Sequence, residues 1–153
     1  MDNEKENKKA TLPAAKVNPF TEEVALAQWA LLEDEYCIEP EPEGQLKKIK
    51  AGFLAAIQKG RVEVLEDPNE GVIIRQHLLR SPLASGEKIL TYRAPNASHI
   101  ATTGIGKEVE RANVMRWVSL AAAVTGVTEG MMTTIKGGDR SLMETIAQLF
   151  LFV

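Results

Sequence analysis

The chain has 153 residues, a formal net charge of −3 and a single cysteine. That length fits one domain that buries roughly two thirds of its unfolded surface, so neither a disulfide nor a metal is needed to hold it. Cys37 has no internal partner, and neither a signal peptide nor an apolar run of about eighteen residues is visible, which points to a reducing, cytosolic setting with no membrane contact. The acidic balance argues against general nucleic-acid binding.

Residues 1–18 are rich in Lys, Glu and Asn and almost free of large apolar side chains, so they have too little to bury to offset ordering and are expected to form a disordered polar tail. The globular domain is expected over 19–153. After Pro19 and Phe20, Thr21 is placed as an N-cap with Glu22 and Glu23 in the first turn, and Val24, Leu26, Ala27, Ala30 and Leu31 read as the apolar face of a first helix. From Thr21 to Gly44 there are eight acids (Glu22, Glu23, Glu33, Asp34, Glu35, Glu39, Glu41 and Glu43) and no base. Such a run is commonly a solvated face; its functional reading is a docking surface for a basic partner, centred on Glu33, Asp34, Glu35 and Glu39.

Pro40 and Pro42 separate this helix from a second, because neither continues a helix interior. Leu46, Ile49, Phe53, Leu54 and Ile57 follow helical spacing, Gly60 suits a C-terminal stop, and Lys47, Lys48 and Lys50 can face the acidic stretch. The helical part thus spans 19–60.

A β-ribbon is expected over 61–93. Val62 and Val64 alternate with charges, the run Asp67-Pro68-Asn69-Glu70-Gly71 suits a turn, and Val72, Ile73, Ile74 and Leu78, then Ile89, Leu90 and Tyr92, supply further strands. Two or three antiparallel strands of this size need helices against one face.

Residues 94–153 read as helical again. Asn96 or Ser98 caps a short helix through His99 and Ile100, which Gly104 and Gly106 break. From about Lys107 a long helix carries Val114, Trp117, Val118 and Ala121 on one stripe, broadened by Met115, Leu120 and Val124, with Trp117 expected in the core. Gly126 stops it, Thr128 caps a short helix holding Met131, Met132 and Ile135, and Lys136 with Gly137 closes that one. The last helix is expected to begin at Asp139 or Ser141, with capping-box spacing between Ser141 and Glu144 and Asp139 as a cap. Leu142, Ile146, Leu149 and Val153 form its apolar stripe, and Met143, Phe150 and Phe152 widen it. The fold class is α+β and helix-rich, with two N-terminal helices, a small antiparallel sheet and three or four C-terminal helices.

Catalytic motifs are not visible. Gly104-Ile105-Gly106-Lys107 has part of a phosphate-loop pattern, but Ala101 stands where a glycine is required and Glu108 where Ser or Thr is, and a carboxylate there repels phosphate. His77, His99 and Cys37 do not have zinc-site spacing, Ser81 and Ser85 lack a nucleophile-elbow setting, and nothing singles out a pair among the twenty-one acids. Asn96-Ala97-Ser98 matches a glycosylation acceptor that would go unused without export. The expectation is a chain that is not an enzyme and uses no cofactor.

The order from Gly71 to Val153 resembles the tail assembly chaperones of contractile-tailed, Mu-like and related bacteriophages. It comprises a glycine turn, an apolar strand, a strand ending Thr91-Tyr92-Arg93-Ala94-Pro95, a helix closing on Leu120-Ala121-Ala122-Ala123-Val124-Thr125-Gly126-Val127, then Asp139 and a helix ending Leu149-Phe150-Leu151. The likeness covers a little over half of the chain and rests on apolar, Gly, Pro and Asp positions. It implies a non-enzymatic protein of the host cytoplasm that coats the tape measure protein, helps the tail tube protein polymerise around it and then leaves. Some members of that family are extended by a ribosomal frameshift. Met131, Met132, Met143, Leu149, Phe150 and Phe152 are the side-chain types that accept varied helices, although such residues usually fill a core. The apolar end Leu149-Phe150-Leu151-Phe152-Val153 is expected to contact a second subunit, giving a homo-oligomer, or a tape measure segment. A structural tail or baseplate component retained in the virion, and an enzyme without recognisable motifs, are the alternatives.

Overall fold

The computed structural model describes residues 18–80, 82–102 and 109–153, and for 100–102 and 109–115 the backbone alone. Of the polar tail expected over 1–18, residues 1–17 lie outside these residues, as do Gly104 and Gly106. The chain has an α+β fold, with helices before and after a small antiparallel sheet.

The first helix, α1 (Glu22–Tyr36), starts where the Thr21 hydroxyl accepts from the Val24 N–H at 3.4 Å. Its buried face is Ala25, Trp29 and Leu32, spaced i, i+4, i+7, whereas Val24 and Leu26 are exposed. This corrects the face expected from the sequence. Apolar residues lie all round this helix, and the stripe that points inward is the one through Trp29, its largest side chain. Cys37 ends α1 in the left-handed conformation at φ 52°.

Next comes α2 (Gly44–Gln58), which buries Ile49, Phe53, Ala56 and Ile57; Gly60, at φ 70°, turns the chain out of it with its N–H on the Ile57 carbonyl. Trp29 meets Phe53 edge-on at 5.4 Å between ring centres, joining the two helices. Strands β1 (Val62–Asp67), β2 (Gly71–His77) and β3 (Ile89–Tyr92) form a sheet in the order β1-β2-β3, both pairs antiparallel. Asp67 Oδ1 accepts from the Asn69 and Glu70 N–H groups and so shapes the tight turn, which Gly71 completes at φ 77°. Val62, Val64, Ile74, Leu90 and Tyr92 face the helices. On the outer edge of β1, the Val64 N–H donates to the Gln28 side chain of α1 at 2.8 Å.

Four further helices follow among the described residues: α3 (Ala97–Thr102), α4 (Val109–Thr125), α5 (Glu129–Met132) and α6 (Gly137–Phe152). Asn96 caps α3 by accepting from the His99 N–H, and Thr128 caps α5 by accepting from the Met131 N–H. In α4, Val118, Leu120, Ala121 and Val124 are buried, while Trp117 is half-buried at the margin of the core. The central tryptophan is therefore Trp29, 1% exposed, rather than Trp117. Helix α6 begins two residues earlier than the first start expected. Its Ser141 hydroxyl lies on the Gly137 carbonyl and Glu144 pairs with Arg140, so no capping box forms. Asp139, read as a cap, is instead buried at 2% exposure and reaches across to another element.

Candidate functional site

Three parts of the surface carry unusual chemistry. The first is built on Asp139, in the first turn of α6. Its carboxylate accepts from the Leu79 N–H at 3.1 Å and the Arg80 N–H at 2.9 Å, and Arg61 donates to it at 3.3 Å. Its main-chain carbonyl accepts from Gln76 Nε2 at 2.7 Å, and Gln76 Oε1 in turn accepts the Tyr92 hydroxyl at 2.6 Å. Burial pushes the Tyr92 phenol far above its ordinary range.

Each partner is held by its own element. Arg61 precedes β1 and is tied to the end of α2 by its N–H on the Ala56 carbonyl; Leu79 and Arg80 follow β2; Tyr92 ends β3. Gly138 makes the approach feasible, because a Cβ there would sit 3.0 Å from an Arg61 guanidinium nitrogen. The result is a clasp joining sheet, α2 and α6. Above it lies a cleft of about 280 Å³ lined by Arg61, Leu79, Arg80, Gly138 and Asp139. Arg61 Nε is buried without a partner among the described residues. With its carboxylate engaged by two amides and a guanidinium, Asp139 acts as a structural acceptor rather than as a base.

The acidic end is the second part. Lys50 Nζ, beside the Trp29 ring at 6.0 Å, donates to the Pro40 carbonyl at 2.6 Å and to Glu33 at 3.1 Å, so Glu33 is paired. Asp34, Glu35 and Glu39 are exposed. Pro40, Glu41, Pro42, Glu43, Gly44, Lys47 and Lys50 line an open hollow of about 540 Å³. Glu35 lies near the Gly71 turn, and burial together with the Glu35 charge pushes the Tyr36 phenol up to about 12.

Third is the end of α6. Leu151, Phe152 and Val153 are exposed, Phe152 at 55%, while Leu149 and Phe150 are buried and Phe150 meets Tyr36 edge-on at 6.1 Å. Of the residues expected to contact a partner, Met132, Leu149 and Phe150 are core side chains at 2% exposure or less, and Met131 is half-buried against the core. Helical geometry explains the correction, since successive residues point about 100° apart and the inward face recurs every three or four positions, so Ile146, Leu149 and Phe150 share it while Leu151 and Phe152 fall outside it. Phe152 is the apolar member left on the surface.

The structure brings Arg61, Leu79, Arg80 and Asp139 together, and sequence reasoning had not linked them. The available signal was the glycine pair before Asp139, a mark of close approach; the partners lie about 60 residues away in the chain. No group of three His, Cys, Asp or Glu side chains able to hold a metal occurs among the described residues, and none of their helices is long and apolar enough to cross a membrane. His77 pairs with Glu63 at 3.1 Å on the sheet. Comparison with protein-family models, with curated proteins and with solved structures finds no match to this chain.

Proposed function

We propose that the chain is a non-enzymatic assembly chaperone of the phage-tail class, which binds the tape measure protein in the host cytoplasm and promotes assembly of the tail tube around it. The observation that carries this reading is the exposed apolar turn Leu151-Phe152 on an otherwise well-packed helix. Phe and Leu side chains held out on a rigid helix suit the apolar stripe of another helix, and burying each contributes about 1.5 to 3 kcal/mol. The order of glycine, proline and apolar positions over 71–153 adds support.

Binding is tested by co-expression with a tape measure protein. The double variant Leu151→Ser, Phe152→Ser should fold, as judged by circular dichroism, and lose at least about tenfold in affinity, the equivalent of about 1.4 kcal/mol. Unchanged binding by the folded variant overturns the assignment of this surface, and failure of the wild-type chain to bind any tape measure segment overturns the function. Purified virions should lack the chain by mass spectrometry, since a chaperone leaves the particle.

A further inference from the structure

We infer that the molecule self-associates head to tail, the Glu39–Glu43 segment of one copy docking on the Arg61/Arg80 cleft of the next. The inference stands independently of the tape measure reading, since it uses neither Leu151 nor Phe152.

The acidic side is built as a rigid comb. Ile38 and Pro42 are buried and the Pro40 carbonyl is held by Lys50, which pins the linker at three successive places. Glu39, Glu41 and Glu43 are then exposed, and none has an ion-pair partner among the described residues. Pro40 and Pro42 restrict the backbone before binding, so little further ordering entropy is lost on docking. Around this end six carboxylates, from Glu33 to Glu43, outnumber the three lysines of the first half of α2.

The receiving side has the opposite sign. Arg80 is exposed and without an ion-pair partner among the described residues, and its backbone is fixed by the Asp139 carboxylate. Arg61 keeps one guanidinium nitrogen on Asp139 with its side chain 23% exposed, and Lys59 is exposed on the adjoining groove. The one carboxylate that lines the cleft, Asp139, is buried and already engaged. Leu79, 64% exposed at the rim, offers an apolar contact to a proline of the incoming segment. Paired guanidinium donors match carboxylates in geometry as well as charge.

Topology makes the pairing intermolecular. The acidic comb precedes the first residue of α2 and Arg61 follows its last turn, so the two patches sit about 21 Å apart along one helix axis. A surface that binds a different surface on its copy is heterologous, and it generates rings or open chains rather than closed two-fold dimers.

Sedimentation velocity on the full chain tests this. The wild type should grow in mass with concentration at low salt and return to monomer near 1 M salt, where screening falls to about 3 Å. Arg80→Glu, and separately Glu41→Gln with Glu43→Gln, should each be monomeric. Mixed together they should form a 1:1 dimer and nothing larger, because one intact patch remains on each. A wild type that stays monomeric at low salt overturns the inference, as do charge variants that assemble like the wild type or a mixture that stays monomeric. Loss of assembly in Leu151→Ser, Phe152→Ser but not in the charge variants also overturns it, by moving the contact to the end of α6.

Discussion

The Gln76 side-chain amide donates to the main-chain carbonyl of Asp139 at 2.7 Å, across 63 residues of sequence, and both groups are buried. This bond ties the central strand β2 to the start of α6. It also sets the Asp139 backbone so that its carboxylate faces the Leu79 and Arg80 amides.

Replacing Asp139 by Ala leaves two amides and the Arg61 guanidinium without their acceptor. Because the carboxylate is buried and Arg61 mostly so, the cost should be about 3 to 5 kcal/mol. Asp139→Asn keeps one acceptor oxygen and should lose less. Urea denaturation midpoints at constant slope measure both, and an Asp139→Ala variant as stable as the wild type would remove the clasp from the account of stability.

Tyr92→Phe removes the donor to Gln76 Oε1 and strands a buried acceptor, at an expected cost of about 1 to 3 kcal/mol. Combined with Gln76→Leu it should cost less than the sum of the two single changes, since the double variant strands nothing between these two positions. A double-mutant cycle with zero coupling would count against the network.

Truncating Trp29 to Ala should cost about 3 to 5 kcal/mol, because it opens a cavity between α1 and α2 beside Phe53. The same change at the half-buried Trp117 should cost clearly less. Thermal unfolding of the two variants in parallel ranks them, and the reverse order would contradict the placement of the core.

Alkaline pH should weaken the fold through two tyrosines. Tyr36, raised to about 12 by burial and then by Glu35, and Tyr92, raised further by burial, keep their protons where an unfolded tyrosine, with a pKa of about 10, has lost its own. Their contribution is complete below about pH 10 and falls as pH rises from there through about 12. Denaturant midpoints should drop over that window, less steeply in Tyr36→Phe. Phenolate absorbance near pH 10 in the folded chain would contradict one of the shifts, and an amplitude of two tyrosines would contradict both.

Local signals were legible in the sequence. The alternation of Val62 and Val64, the stop at Gly60, and the caps at Thr21 and Thr128 each depend on residues within a few positions of one another, and the structure has all of them. The face of α1 was not, because Val24, Leu26, Ala27, Ala30 and Leu31 are apolar without pointing the same way, and only packing against Phe53 selects the stripe through Trp29. Asp139 was misread for a related reason. An acid after two glycines at a helix start has a sufficient local explanation as a cap, and nothing nearby in sequence announces Leu79 and Arg80 as its acceptor's true partners.

An edge strand with free amides is a template on which a stray chain can add a strand and begin a fibril. On β1 one of the amides turned away from β2, the Val64 N–H, is already taken by Gln28. A glutamine on a neighbouring helix thus works as a stopper against ladder growth. Gln28→Ala should leave the fold nearly unchanged by circular dichroism yet shorten the lag before dye-binding aggregates form on prolonged incubation, because the amide it uncovers is the kind of site where sheet growth starts.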